Sequence, residues 1–259
     1  MNNDVLRQWV NMLSIVALVV MNILANALPL NGQNTGEISD RFQVFFVPAG
    51  YVFAIWFLIY VGLIAFGIYQ ALPAQKENAR LRRIGYIFAL SCLANISWLF
   101  FWHYEQFPLS LLAMLVLLVC LVVVYLRLGI GQTVVSTREK WLVDIPFSIY
   151  LGWITVATIA NVTDVLYYLG WSGWGLSPQA WAVVMLAAAV IITGAMILTR
   201  GDTAYALVII WAAAGIGVKQ ADSALVSGAA WAAVVVVALL LVWNWFSRRR
   251  AAGQPLPAG

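Results

Sequence analysis

Charged residues are scarce in this sequence of 259 residues, at 9% against roughly 25% in an ordinary soluble domain. So few charges cannot cover a chain of this length with a water-facing surface, which excludes a soluble globular protein. Histidine and cysteine are scarce as well, with one histidine and two cysteines. His103 has no second histidine or cysteine cluster near it in the sequence, and Cys92 and Cys120 each lie alone in apolar runs. These spacings predict neither a metal site nor a disulfide.

Long apolar runs occupy most of the chain, which is 64% hydrophobic with a mean hydropathy of +0.91. A run of about 18 residues with few charges is long enough to cross a hydrocarbon core of about 30 Å. We therefore predict an all-α integral membrane protein with about eight transmembrane helices. The eight segments are 9–28, 48–72, 84–103, 109–128, 145–169, 179–198, 204–218 and 224–246, of which the seventh is the shortest.

Basic residues are distributed unevenly between the connections of these segments. If the N-terminus is inside, the inner connections hold twelve of the fourteen Lys and Arg residues, and the outer ones hold only Arg41 and Lys219. Cytoplasmic loops of membrane proteins carry such an excess. We expect a bacterial cell membrane with both termini cytoplasmic, and the pI near 9.2 then needs no nucleic-acid partner.

Polar residues divide the chain into two regions. The first five segments carry several Asn residues, whereas the last three are mostly Ala, Val, Ile and Leu with many glycines. We predict a five-helix bundle over residues 1–170, three additional transmembrane helices over 171–247, and a short basic, disordered cytoplasmic tail over 248–259. Small residues permit close helix approach, so the last three helices are expected to dock on the bundle or to form a homodimer face.

Helical spacing places aromatic and amide side chains of the first five segments at similar depth. Trp56 and Tyr60 are one turn apart, as are Asn95 and Trp98, and Asn26 lies near the same end of its own segment. An amide in hydrocarbon is costly without a partner, so these residues face other helices or a cavity. One interpretation is a pocket under the connection 29–47, and the other is ordinary packing between helices.

Three motifs in order resemble the TspO/translocator-protein family of tryptophan-rich sensory proteins, over about residues 5–168. A proline precedes a Trp-x-x-x-Tyr pair in the second helix, an Asn-x-x-Trp motif precedes two Phe in the third, and the fifth carries Trp-x-x-x-Ala-Thr-x-x-Asn. The matching residues here are Pro48, Trp56, Tyr60, Asn95, Trp98, Phe100, Phe101, Trp153, Ala157, Thr158 and Asn161. The family normally has five helices, so the three that follow here are typical of an elongated branch.

The resemblance implies a five-helix bundle that binds a planar hydrophobic ligand, a porphyrin, haem-type or sterol-like molecule, beneath the connection after the first helix. No other cofactor is expected, and the partners are this small molecule and the lipid bilayer. The expected ligand-binding residues are Asn26, Tyr51, Trp56, Tyr60, Asn95, Trp98, Phe101, Trp153 and Asn161.

Alternative functions remain at this stage. No nucleophile, base and acid occur together, so we expect no enzyme and no catalytic residue, although light-dependent porphyrin breakdown is left open. A transporter of a small solute or tetrapyrrole is the second interpretation, without an internal repeat to support it. We expect His103 to lie at the membrane interface, Asp164 to be solvated, and Lys219, near an outer end, not to be a retinal-type lysine.

Overall fold

Eight long helices dominate the computed structural model, which describes residues 3–28 and 30–252, with the backbone alone for 250–252. They are α1 (Asn3–Ala27), α2 (Ile55–Ala71), α3 (Ile87–His103), α4 (Phe107–Leu128), α5 (Ile145–Tyr168), α6 (Pro178–Arg200), α7 (Thr203–Lys219) and α8 (Ala224–Ala252). Short helices lie between them at Thr35–Asp40, Ala79–Ile84 and Thr137–Glu139, a 3-10 turn at Gly50–Ala54 leads into α2, and a π-helical stretch at Lys140–Asp144 leads into α5. Each apolar segment of the sequence corresponds to one long helix.

The helix ends follow ordinary capping chemistry. Ser177 and Asp202 accept backbone N–H bonds at the starts of α6 and α7, at 3.2 and 3.0 Å. Proline stands in the first turn of α4, α5 and α6, where its missing N–H costs nothing. Gly129 and Gly201 end α4 and α6 with positive φ angles of 61° and 64°, a conformation that glycine adopts without strain.

Six of the helices are long and apolar enough to cross a membrane. The other two, α3 and α7, have 17 residues each and fall slightly short of the length for a straight crossing. The prediction is thus confirmed in its coarser form, as an all-helical chain with several candidate spans, while the count of eight crossings stays a prediction.

The first five helices form a closed ring. α1 packs against α2 and α3, α3 against α4, α4 against α5, and α5 returns to α2. α6, α7 and α8 pack against one another and meet the ring mainly through α7, which lies along α5. α5 is therefore the central helix: 72% of its most apolar window is buried, against 22–39% in the five other candidate spans.

Close approach and polar contacts hold α7 on α5. A Cβ added at Gly152 would lie 3.1 Å from Val208 Cβ, so glycine permits the two helices to touch at this point. About one turn along α5 in either direction from Gly152, hydroxyl groups form hydrogen bonds across the interface. Tyr205 donates to Thr155 at 3.0 Å and Ser148 donates to the Asp202 carboxylate at 2.6 Å. Contact between α5 and α7 thus depends on a glycine of the ring helix and on hydroxyl groups of both helices.

The disordered basic tail predicted over residues 248–259 is not confirmed in its first part. α8 continues through Ala252, so residues 248–252 are helical rather than disordered. The rest of the tail, residues 253–259, lies outside the described residues.

Candidate functional site

A cavity of about 340 Å³ lies between α1, α2, α3 and the connection that follows α1. Helices contribute the amides of Asn22 and Asn26 and the aromatic side chains of Trp56, Tyr60 and Trp98. The connection supplies the other walls, with Asn34, Thr35, Gly36, Ser39, Asp40, Pro48, Gly50 and Phe53.

One wall of the cavity is held by a chain of buried amides. Asn22 Nδ2 donates to Asn95 Oδ1 at 2.9 Å, and Asn95 Nδ2 donates to the Tyr150 hydroxyl at 3.1 Å. The chain links α1, α3 and α5 across the ring, and all three side chains are at most 5% exposed. Because each buried polar group has a partner, the network fixes the orientation of the Asn22 side chain at the cavity.

A second polar contact orients Trp98. Its Nε1 donates to Asn161 Oδ1 at 3.2 Å, and Asn161 Nδ2 in turn donates to Ser110 Oγ at 3.2 Å. The Trp98 ring stacks on Trp102 at 5.6 Å between centroids, with an angle of 18° between the ring planes. The indole that lines the cavity is thereby fixed from its edge and from one face.

The opposite wall is an aromatic cluster around Trp56. Trp56 stacks on Tyr60 with centroids 5.6 Å apart, and it meets Trp153 edge-on at 6.2 Å. Trp153 also contacts Phe53 edge-on at 5.7 Å. Trp153 itself is 2% exposed, and its buried Nε1 has no hydrogen-bond partner among the described residues. It therefore supports the lining rings from behind.

The short helix Thr35–Asp40 covers the cavity. Asn34 and Glu37 form a reciprocal capping box at its start. Trp102 Nε1 donates to the Thr35 carbonyl at 3.3 Å, and the His103 Nε2 lies 3.4 Å from Thr35 Oγ1. His103 is 0% exposed, because this helix covers it. The position of His103 at the membrane interface stays a prediction.

A surface ion pair links the connection after α1 to the connection between α3 and α4. Arg41 Nη1 lies 2.9 Å from Glu105 Oε1, and Gln33 Nε2 donates to the same oxygen at 3.3 Å. The hydrogen bonds from Arg41 and Gln33 lower the pKa of the Glu105 carboxyl below its usual value.

α7 holds the segment that leads into α2. The Ala49 N–H donates to the Gly215 carbonyl at 3.1 Å, and Trp211 Nε1 donates to the Val52 carbonyl at 3.0 Å. A Cβ at Gly215 would overlap Val52 Cγ2 and would lie 3.2 Å from Pro48 Cβ. The absence of a side chain at Gly215 thus allows α7 to pack directly on the wall that carries Pro48.

Lys219, at the end of α7, lies at the rim of the same cavity. Its Nζ is 2.9 Å from Asp40 Oδ1, in a pair whose side chains are 31% and 70% exposed. The sequence placed Lys219 near an outer helix end but indicated no partner, because Asp40 lies 179 positions earlier.

The predicted site residues fall into three groups. Asn26, Trp56, Tyr60 and Trp98 line the cavity, whereas Asn95, Asn161 and Trp153 are buried behind its walls. Tyr51 is 51% exposed and packs edge-on against Trp211, and the half-buried Phe101 is not among the lining residues. A ligand-binding role for any of the nine stays a prediction.

Several lining residues could not be predicted from the sequence. Asn22 was visible as an amide one turn from Asn26, and the connection was expected to cover the pocket, but no local pattern selected Ser39, Asp40 or Phe53 within it.

Asp164 is 3% exposed, and its Oδ1 has no hydrogen-bond partner among the described residues, so the expectation of a solvated carboxylate was wrong. Within the described residues, no three His, Cys, Asp or Glu side chains are arranged to hold a metal ion.

Comparison with known proteins agrees with this architecture. A family model described as TSPO-like protein matches residues 8–243, from α1 into α8. The match therefore includes the three C-terminal helices, beyond the stretch over which the motifs were recognised. No similar curated protein and no similar solved structure was found. With most of its length matched and several helices apolar enough to span a bilayer, the chain is an integral membrane protein that belongs to the TSPO-like protein family.

Proposed function

We propose that this protein is a membrane ligand-binding and sensory protein whose cavity takes a planar hydrophobic molecule, a tetrapyrrole or a sterol-like compound. The observation that carries the proposal is the cavity itself, because Trp56, Tyr60 and Trp98 share one void of about 340 Å³ with Asn22 and Asn26. Family membership supports the same class of function.

The chemistry of the walls suits such a ligand. The void is at the lower end of the usual range of about 300–1,000 Å³ for small-molecule sites. Flat aromatic faces pack well on a flat ring. The two Asn amides can orient polar edges of the ligand, since the Asn22–Asn95–Tyr150 network holds one of them in place.

The same lining favours binding over catalysis. Its single carboxylate, Asp40, lies at the rim and is paired with Lys219, and the other polar groups are amides, hydroxyls and indole N–H groups. Of the described lining groups, the Thr35 hydroxyl lies near a base, 3.4 Å from His103 Nε2. The other ring nitrogen of His103 bonds to the Leu99 carbonyl of its own helix, so no carboxylate orients this histidine as a base. We therefore propose no enzyme activity for the cavity.

We further propose that the protein crosses a bacterial cell membrane eight times with both termini in the cytoplasm. The excess of basic residues at one end of the bundle supports this orientation. The cavity would then open on the outer side. The Arg248→Cys variant should react with a membrane-impermeant maleimide only after the cells are opened, and reaction in intact cells would contradict the orientation.

Binding can be measured by titrating protoporphyrin IX into the purified full-length protein and following the porphyrin absorbance and tryptophan quenching. We expect saturable binding that Trp98→Ala weakens by about tenfold, since one aromatic face is lost. Trp98→Phe keeps the ring and should lose less. Trp243→Phe is the matched control, because Trp243 is 58% exposed on α8 and away from the cavity.

The outcomes separate the alternatives. A sterol that competes with the porphyrin would indicate a general site for planar hydrophobes. Absence of saturable binding of both compounds, or affinity unchanged by Trp98→Ala, would overturn the proposal. Counterflow of porphyrin in proteoliposomes would instead indicate the transporter.

A further inference from the structure

A second and larger concavity lies on the other side of α2, away from the cavity described above. It is a groove of about 1,010 Å³ whose walls come from α2, α5 and α7. Its apolar walls include Leu58, Ile149 and Leu207, and Leu58 and Leu207 are 51% and 54% exposed. In a membrane protein, exposed apolar side chains at this depth face hydrocarbon.

The groove has the length of one leaflet. Along α7 it extends from Thr203 to Trp211. At about 1.5 Å per residue this is about 12 Å, a little under half of a hydrocarbon core of about 30 Å. Trp211 lines the apolar end of the groove, and the other end lies among the charged residues at the basic end of the bundle.

Three cations from separate elements meet at that opening. Lys140 precedes α5, Arg200 ends α6, and Arg248 lies in the last turns of α8. Gly201 permits this arrangement, because a side chain there would collide with the Arg248 guanidinium. Within the described part of the chain, no carboxylate forms an ion pair with any of the three.

The two carboxylates at the opening are already engaged. Asp144 lies 2.5 Å from Arg80 Nη2. Asp202 uses both oxygens, since Oδ1 accepts the Tyr205 N–H and Oδ2 accepts the hydroxyls of Tyr125 and Ser148. The three cations are therefore available to an external anion.

We propose that this groove binds an anionic phospholipid, with an acyl chain along α7 and the phosphate among Lys140, Arg200 and Arg248. Basic pockets between transmembrane helices on the cytoplasmic side bind lipid head groups of this charge. The inference depends on the groove alone and not on the ligand of the other cavity.

The test uses the full-length protein, delipidated in detergent and incubated with an equal mixture of phosphatidylglycerol and phosphatidylcholine of identical acyl chains. Native mass spectrometry reports which lipid stays bound. We expect one phosphatidylglycerol retained in preference to phosphatidylcholine. The double variant Arg200→Gln and Arg248→Gln should bind phosphatidylglycerol roughly 25-fold more weakly. This is the factor expected when two basic side chains near a lipid phosphate are removed.

A charge-matched control separates this site from general attraction of anions. Arg83→Gln with Arg127→Gln also removes two arginines, both exposed and outside the groove lining. It should keep the preference for phosphatidylglycerol. Equal loss in both double variants would overturn the proposal, as would equal retention of the two lipids by the unaltered protein.

A steric variant addresses the apolar part. Leu207→Trp fills the groove without changing charge, and it should displace the lipid while the protein still binds porphyrin as before. Lipid retention unchanged by this variant, in protein that still melts cooperatively, would equally contradict the proposal.

Discussion

The five helices of the ring and the three helices that follow them differ in what they bury. Of the described polar or charged residues that are buried, sixteen lie in the chain up to Asp164 and only Thr193 and Asp202 lie beyond it. The cavity lies where the amides are, whereas α6, α7 and α8 pack through Ala, Gly and aliphatic side chains. Burying polar residues inside a membrane protein costs free energy. Their concentration in the five-helix ring therefore indicates that this region has a function besides packing.

The two regions are nevertheless joined at the cavity. α7 contributes Trp211, Gly215 and Lys219 to contacts with the segment that forms the outer wall. The three C-terminal helices thus support the wall of the cavity. Substitutions at this contact should therefore change both the stability of the protein and ligand binding in the cavity.

The largest expected effect comes from a side chain at Gly215. Gly215→Ala places a methyl group against the buried Val52, so we expect a loss of about 1–3 kcal/mol in stability and weaker porphyrin binding as the wall shifts. Gly228→Ala is the control, since nothing lies within 4 Å of its added Cβ. Thermal unfolding in detergent measures both. Equal melting temperatures for the two variants would show that α7 does not hold the wall.

A smaller effect is expected from the amide network. Asn95→Leu leaves Asn22 and Tyr150 without their shared partner and should cost about 1–2 kcal/mol. Thr193→Val, in the apolar region, removes only a bond to the carbonyl of Ala189 in its own helix and should cost less than about 0.5 kcal/mol. If the two substitutions lower the free energy of unfolding equally, the buried polar groups of the ring are no more important for stability than those of the last three helices.

The rim ion pair should contribute less still. Lys219→Gln is expected to change stability by less than about 0.5 kcal/mol, because the pair with Asp40 is largely exposed and screened by salt. A double-mutant cycle with Asp40→Asn in low and high salt measures the coupling. A coupling well above 1 kcal/mol would mean that the pair is shielded from solvent.

The smallest effect is a pH dependence. The pKa of Glu105 is lowered in the folded protein by Arg41 and Gln33, so its stabilisation is present above the usual carboxyl pKa and is lost as the pH falls through the folded value. Glu105→Gln should therefore flatten a slight fall in melting temperature at acidic pH. An unchanged pH profile in the variant would assign that fall to other carboxylates.

The positions of the helices and of the polar region could be predicted from the sequence, because both depend on local residue patterns. Apolar runs located all eight helices, and one-turn spacing placed Trp56 beside Tyr60. The ion pair between Asp40 and Lys219 could not be predicted from the sequence, because it depends on how α7 docks on the ring. The burial of His103 was not predicted and that of Asp164 was misjudged for the same reason, since burial near a helix end depends on what covers it.

Filling the void that the amides and indoles share tests whether this void is a binding site. Asn26→Trp adds an indole at a lining position, where the native side chain, among the described residues, bonds to the Asn22 carbonyl of the same helix. We predict at least about tenfold weaker protoporphyrin binding with an unchanged melting temperature. Ile191→Trp, at a position 71% exposed on α6, should bind normally. Undiminished affinity in Asn26→Trp would contradict the account.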